Sequence, residues 1–313
     1  MSIRVVLLGP QRLAPTLVDA VDSLGIDGPI ASITAGWEER EGEDRELEEH
    51  LRGRVVNLRV YGRAEEIYEA DPELRRALLQ RHETIRKLRD LYRLRLAHAL
   101  DAARQLLRRD CPEGEESILE PERAAAIEAV RDLDAHHRER VREVHAAFEA
   151  GWRPEERDDV ARHREEIAQA LKDTAALGVA GGHVNILLNR MRLLGLPGLA
   201  AKRPIVAWSA GAMVLGEQVV LFHDSPPQGA GNAEVLEPGL GLFRGVIPLP
   251  HARRRLRLDD AMRVELFARR FSPDLCVPMD EGARLDWNGK KWTAHDGTRL
   301  LTEDGAVAEE WAA

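Results

Sequence analysis

Short apolar runs alternate with helical patterns along the first sixty residues of the chain. Runs rich in Val, Ile and Leu at positions 4–8, 30–35 and 55–60 predict three strands, and the amphipathic stretches 14–24 and 45–52 predict two helices between them. Strands that alternate with helices form parallel sheets, because the chain must cross over before the next strand can run in the same direction. This part therefore predicts the beginning of an α/β sheet.

Residues 64–176 have a different character, since they are rich in Arg, Glu, Ala and Leu and contain no strand-like run. Their periodicity predicts about three long helices. The apolar stripes of these helices must be buried, so we expect either packing within the chain or a homodimer formed through this segment. The residues that keep the helical spacing are Ile85, Leu88, Tyr92, Leu96, Ala99, Ile127, Val130, Val141, Val144 and Phe148.

The α/β pattern resumes at residue 177, and turn signals such as Asn-Gly and Asp-Gly beyond Cys276 predict antiparallel hairpins. The predicted fold class is α/β, with a mostly parallel sheet flanked by helices and interrupted by an all-helical insertion. We divide the chain into a first part of the α/β domain at residues 1–63, the helical insertion at 64–176, and the second part with its hairpins at 177–313.

The composition is typical of a cytoplasmic enzyme. The net charge of −9 over 313 residues argues against a nucleic-acid partner, because phosphate binding leaves a basic footprint. No run approaches the roughly 18 apolar residues of a membrane span, and the apolar start is too short for a signal peptide. Cys111 and Cys276 cannot form a disulfide framework and lack metal-ligand spacing.

The insertion holds many histidines among acidic residues, but no Glu-x-x-His pair recurs on two helices. Solvated charged faces explain them better than a metal site, so we expect no metal and no cofactor. The histidines of this segment are His82, His98, His136, His137, His145 and His163.

Residues 205–212, Ile-Val-Ala-Trp-Ser-Ala-Gly-Ala, are the most informative stretch for chemistry. An apolar strand runs directly into Ser209 and small residues follow, which is the pattern of a strand–turn–helix nucleophile elbow. A buried strand that ends in a serine N-cap would give the same letters. The elbow is favoured by two further residues in the order of a catalytic triad.

Asp224 follows Ser209 by fifteen residues, and His251 follows it by forty-two. A serine nucleophile needs a base within hydrogen-bond reach, and the base needs a carboxylate that orients it. Each of the three residues comes at or just after the end of an apolar run, and the carboxyl ends of parallel strands converge on one crevice. We therefore expect a Ser-His-Asp triad.

These segments resemble the peptidase E and cyanophycinase family of serine peptidases, which has a class I glutamine-amidotransferase-like fold. Trp-Ser-Ala-Gly-Ala at 208–212 is similar to the family's elbow, Val-Ala-Gly-Gly at 179–182 to its Gly-Gly turn, and 238–242 with Pro-His at 250–251 to its histidine segment. The resemblance implies Ser209 as nucleophile, His251 as base and Asp224 as acid. True glutamine amidotransferases have a cysteine nucleophile and a Glu two residues after the His, where this chain has Arg253.

The chain also departs from the family pattern. His183 stands where the family usually has Asn or Asp after the Gly-Gly turn, and we expect it to contact substrate together with Gly181. Glu234 and Glu237 are alternative acids, since the acid of cyanophycinases is a Glu in the equivalent loop. The predicted oxyanion hole consists of the N–H groups of Gly182 and Ala210.

A basic run follows the histidine, and its first member, Arg253, is our candidate for binding a substrate carboxylate. The family favours aspartyl substrates, so the resemblance implies hydrolysis of a peptide or isopeptide bond in a small aspartyl-containing molecule. Two other functions stay open. In the first, the chain is a catalytically silent member of the family that binds a ligand or a protein. In the second, it is an esterase or amidase that acts on a non-peptide acyl group.

Overall fold

The computed structural model describes residues 3–200, 203–222 and 231–309. Its strands in chain order are β1 (Val5–Leu8), β2 (Ile30–Ile33), β3 (Val55–Asn57), β4 (Ala176–Val179), β5 (Ile205–Trp208), β6 (Gln218–Leu221), β7 (Glu234–Pro238), β8 (Val246–Pro250), β9 (Leu275–Met279), β10 (Arg284–Trp287), β11 (Trp292–Ala294), β12 (Leu300–Leu301) and β13 (Val307–Ala308).

The helices are α1 (Leu17–Ser23), α2 (Arg45–His50), α3 (Val60–Ala70), α4 (Pro72–Leu107), α5 (Glu116–Trp152), α6 (Asp158–Lys172), α7 (Val184–Leu193), α8 (Leu196–Ala200), α9 (Ala210–Leu215), α10 (Ala252–Arg255) and α11 (Ala261–Phe271). Two short 3-10 segments, Ala35–Arg40 and Pro154–Glu156, complete the helical part. Within the described ranges, no helix is both long and apolar enough to cross a membrane.

Seven strands form the central sheet in the order β11-β10-β1-β5-β4-β2-β3. The five strands from β1 to β3 in this order pair in parallel, and β10 and β11 extend the sheet as an antiparallel hairpin. This confirms the predicted α/β class with its mostly parallel sheet. Three smaller pairs stand apart: β6 with β7 antiparallel, β8 with β9 parallel, and β12 with β13 antiparallel.

The first strand shows why the sheet is central. Val5 and Leu7 belong to the apolar cluster on one face, whereas Val6 and Leu8 pack with α1 on the other. Successive side chains of a strand point to opposite faces, so a strand covered on both sides is apolar throughout. The continuous apolar run at the start of the sequence is explained by this double burial.

Two predicted strands are longer in the sequence pattern than in the structure. The strand predicted at 30–35 ends at Ile33, because the chain turns into the 3-10 segment at Ala35. The strand predicted at 55–60 ends at Asn57, because Arg59 takes a left-handed conformation (φ 51°) and α3 begins one residue later. Apolar residues beyond these ends are buried without being in strands.

Helices α3 to α6 connect β3 to β4 and form the helical insertion predicted from the sequence. Two of the four helices are long: α4 and α5, with 36 and 37 residues, pack against each other. Asp71 caps α4 by accepting a hydrogen bond from the N–H of Leu74, and Pro72 occupies its first turn. The boundaries of the domain division, at 63/64 and 176/177, stay a prediction.

A buried ion pair attaches the insertion to the α/β body. Arg270 on α11 donates two hydrogen bonds of 2.7 Å to the carboxylate of Asp134 on α5, and Tyr92 on α4 donates a third of 2.7 Å. Arg270 and Asp134 are only 3% and 4% exposed. The geometry is bidentate, which is the strongest form of this pair.

A second buried carboxylate lies further along the same contact. Glu237 on β7 is hydrogen-bonded to His145 on α5 and to Arg192 on α7. Burial alone would raise the pKa of Glu237, but the hydrogen bond with His145 and the charge of Arg192 lower it to about 2. The body pairs this carboxylate with its own Arg192, and His145 of the insertion adds a second partner across the contact.

We expect Asp134→Ala to lower the free energy of unfolding by about 3–5 kcal/mol, because it leaves the Arg270 guanidinium buried without a counter-charge. Urea unfolding followed by circular dichroism measures this change. The matched control is Arg45→Ala, which breaks an ion pair between exposed side chains and should cost less than about 0.5 kcal/mol. Equal effects of the two substitutions would contradict the importance of the buried pair.

Candidate active site

Ser209 lies in the turn between β5 and α9 with φ 52° and ψ −126°. A non-glycine residue rarely adopts such a positive φ, and a backbone held in this way is typical of functional sites. The tight turn requires small neighbours: a Cβ built at Gly211 would overlap the carbonyl oxygen of Val179. The local geometry is that of a nucleophile elbow.

The Gly181–Gly182 turn follows β4 and lies directly against the elbow. A Cβ built at Gly181 would stand 2.7 Å from Ser209 Cβ and 3.4 Å from the backbone nitrogen of Ala210. Gly182 has φ 114°, which side-chain-bearing residues rarely adopt. Among described residues, the N–H groups of Gly182 and Ala210 have no hydrogen-bond acceptor. Both are therefore available to an oxyanion.

The loop after β2 packs against the Gly181–Gly182 turn, which itself lies against the elbow. The carbonyl oxygen of Gly36 accepts a hydrogen bond of 2.7 Å from the N–H of His183. The His183 side chain is exposed and caps α7 through its Nδ1, which accepts from the N–H of Ile186. His183 thus fixes the start of α7 at the edge of the site.

Ser209 and His251 line the same cavity, whose volume is about 720 Å³. The Gly181–Gly182 turn, Ala210 and Arg255 also contribute to its wall. Further lining residues come from the loop after β1, the segment after β2 and helix α2; they are Gln11, Arg12, Trp37, Arg40, Glu43, Glu46, Leu47 and His50. The elbow therefore opens into a space large enough for a small ligand.

His251 ends β8 in a left-handed conformation (φ 57°), and its N–H donates to the carbonyl oxygen of Met279 at 3.2 Å. Burial lowers the pKa of His251, and the charges of Arg255 and Arg254 lower it further. The neutral imidazole that a base requires is thus favoured. Within the described residues no hydrogen bond joins Ser209 to His251, and such bonds are often loose before substrate binds.

The candidate acids lie in different surroundings. Asp224 is outside the described residues. Glu234, on β7, pairs with Arg93 of α4, and Glu237 is bonded to His145 and Arg192. Neither glutamate lines the cavity that contains Ser209.

The triad residues are predicted to follow three parallel strands of one sheet, but of the strands concerned only β5 belongs to the central parallel sheet. β6 is antiparallel to β7, and β8 pairs with β9 outside the central sheet. His251 reaches the cavity of Ser209 from a neighbouring strand pair.

The basic run after His251 divides between the surface and the cavity. Arg253 is exposed, and Asp280 lies beside it, accepting from its N–H at 3.1 Å and standing 3.8 Å from its Nε. Arg255 is half-buried and lines the cavity. The spacing could have indicated this, because residues four apart share a helix face and Arg255 is four residues after His251. For Trp37, which also lines the cavity, we find no signal in the sequence.

Three histidines of the insertion make separate contacts: His82 with Asn185, His137 with the carbonyl oxygen of Leu236, and His163 with Arg63. In the part of the chain that the structure describes, no three His, Cys, Asp or Glu side chains come together as metal ligands would.

Comparison with known proteins places this site in a family. The family model of peptidase family S51 matches residues 128–294, which is more than half of the chain and includes Ser209 and His251. No protein with a curated description matches the chain.

Two solved structures are similar to this chain. A peptidase from an acI-B1 Actinobacterium has 13% identity and a TM-score of 0.46, with 97% of this chain and 92% of that one covered. A candidate peptidase E protein from Listeria monocytogenes EGD-e has 18% identity and a TM-score of 0.30, with coverage of 42% and 64%.

The match to the family model confirms the resemblance that the elbow, the Gly-Gly turn and the histidine segment indicated. The chain belongs to peptidase family S51 and is a serine peptidase-like hydrolase.

Proposed function

We propose that this chain hydrolyses a peptide or isopeptide bond in a small aspartyl-containing substrate, through an acyl-enzyme on Ser209. The observation that carries this proposal is the shared cavity: a serine at a strained elbow and a histidine whose pKa is lowered face the same space. Such a pair is what nucleophilic catalysis by serine requires.

In the proposed mechanism His251 removes the Ser209 proton as the hydroxyl oxygen attacks the substrate carbonyl carbon. The N–H groups of Gly182 and Ala210 then bind the oxyanion of the tetrahedral intermediate. His251 gives its proton to the leaving amine as the acyl-enzyme forms. His251 then takes a proton from water as the water oxygen attacks the acyl carbon, and it returns that proton to Ser209 Oγ as the acid product is released.

For the third member of the triad we propose Asp224, with Glu234 and Glu237 as alternatives. The ion pairs of the two glutamates support this order. Glu234 is bonded to Arg93, and Glu237 to Arg192 and His145, so the buried carboxylate of either would have to give up its ion pair to orient His251.

The preference for an aspartyl group is supported by the cations of the cavity wall. Arg255 is half-buried there and Arg12 lies on the same wall, so a guanidinium is available to a substrate carboxylate. Arg40, also on this wall, is paired with Glu43. We also propose that the backbone of Gly181, which lies beside the elbow, contacts the substrate. We keep Arg253 and His183 as proposed contacts at the rim, since both side chains are exposed.

Two further proposals concern the whole protein. Leu79, Leu91 and Leu94 are more than 60% exposed on α4, which supports a homodimer formed through the insertion. We also propose a cytoplasmic location, on the composition of the sequence.

We expect the protein to cleave dipeptides with an aspartyl or isoaspartyl residue and to leave matched asparaginyl dipeptides uncut. Amine release, followed by mass spectrometry, measures the rate. Ser209→Ala should abolish cleavage, and Asp224→Asn should lower kcat by at least a hundredfold, as removal of a triad member does. A larger loss in Glu234→Gln or Glu237→Gln, in folded protein, would identify that glutamate as the acid instead.

Gly181→Ala should slow the reaction of Ser209 with a fluorophosphonate by at least tenfold, because the new methyl group would press on Ser209 Cβ. Intact-protein mass spectrometry gives the labelling rate. Gly151→Ala on α5 is the matched control, since a Cβ there meets nothing within 4 Å. Equal labelling rates in both variants would contradict the close packing of the turn on the elbow.

The labelling rate should fall on acidification with an apparent pKa below 6.5, because burial, Arg255 and Arg254 disfavour the imidazolium of His251. In Arg255→Gln one of these charges is gone, so the pKa of His251 rises and the acid limb moves to higher pH. Arg244→Gln, an exposed arginine outside the cavity, should leave the profile in place. An unchanged or lower midpoint in Arg255→Gln would contradict this account.

A further inference from the structure

A second cavity, of about 470 Å³, lies where the helical insertion meets the α/β body. We name it the seam cavity. Its wall combines side chains from α4, α5 and α6 with the end of α7 and the chain that leads into α8. It shares no lining residue with the cavity of Ser209.

Arg81 of α4 is the most buried cation in this wall, at 7% exposure. Its guanidinium donates one hydrogen bond of 3.1 Å to Asn189 Oδ1 and stacks over the ring of Phe148 at 4.6 Å. Its Nε is buried without an acceptor, and Arg81 forms no ion pair with a carboxylate of the described residues. A buried guanidinium normally has an anionic partner.

Arg164 of α6 is the second cation without such a partner. Its guanidinium lies over the backbone of Gly195, and it forms no ion pair or hydrogen bond with described residues. The other two arginines of the wall differ, because Arg192 is bonded to Glu237 and Arg142 to Glu139.

Two carboxylates face the same space from its outer side. Glu149 and Glu155 line the seam cavity and are exposed, and neither forms an ion pair within the described ranges. Arg81, Arg164 and the two glutamates thus share one cavity, with neither guanidinium within 4.0 Å of either carboxylate. Opposite charges at that separation leave room for a molecule that carries both signs.

We propose that the seam cavity binds a zwitterionic amino acid or short peptide. Its carboxylate would lie against Arg81 and Arg164, and its ammonium group against Glu149 and Glu155. Leu78 and Phe148 offer an apolar surface for its side chain. Free amino acids and short peptides are the kind of molecule that a peptidase releases.

A ligand in the seam cavity would contact one end of α7, the helix whose other end lies beside the active site. α7 begins directly after the Gly181–Gly182 turn, and Arg192 and Leu193 at its other end line the seam cavity. A helix of ten residues is about 15 Å long, so one rigid element joins the two cavities.

Isothermal titration calorimetry with L-leucine tests the proposal, in a Ser209→Ala background that removes turnover. We expect saturable binding of one molecule per chain. Arg164→Gln and Glu149→Gln should each weaken it about tenfold, since each removes one charge-assisted hydrogen bond. L-leucinamide and N-acetyl-L-leucine, which lack one charge each, should bind about tenfold more weakly than leucine.

Two controls separate the seam cavity from other sites. Arg140→Gln, an exposed α5 residue paired with Glu143 outside the cavity, should leave binding unchanged. Arg255→Gln should do the same, because Arg255 lines the other cavity. The proposal is overturned if leucine gives no saturable heat, or if Arg255→Gln abolishes binding while Arg164→Gln and Glu149→Gln do not alter it.

Discussion

The close approach of three backbone turns is the constraint on which the site depends. The loop after β2, the Gly-Gly turn after β4 and the elbow after β5 touch one another at Gly36, Gly181, Gly182 and Gly211, each at a distance where a side chain would collide. Because the three strands are neighbours in one parallel sheet, their ends are already adjacent. Because these glycines have no side chains, Ser209 can occupy a strained turn beside two N–H groups that have no acceptor among the described residues.

The insertion is part of the same construction. Glu234 and Glu237 on β7 pair with Arg93 and His145 of the insertion, and Glu237 also pairs with Arg192 of the body. In the opposite sense, Asp134 of the insertion binds Arg270 of the body. A polar contact of this kind fixes position more strictly than an apolar one, because each charge is costly to bury in any other arrangement. It acts together with apolar residues of α4 and α5, such as Leu96 and Val130, that belong to the main apolar cluster.

The parts of this molecule that the sequence could predict are those with strong local patterns. The doubly buried strands, the change to helical periodicity after residue 63 and the small residues around Ser209 all leave a signal in the order of residues. The spacing of four between His251 and Arg255 is such a signal too, although the residue predicted from the basic run is the exposed Arg253. The pairing of β8 with β9 outside the central sheet, the place of Trp37 in the cavity and the partners of Glu234 and Glu237 depend on contacts between distant segments, which no local pattern encodes.

The central claim is that Ser209 is an activated nucleophile. The most direct measurement is the intact mass of the protein after incubation with a fluorophosphonate, compared with Ser209→Ala treated in the same way. A single adduct on the native chain that is lost in the variant is the result that this account predicts. A well-folded native chain that gains no adduct, or an adduct that persists in Ser209→Ala, would contradict it.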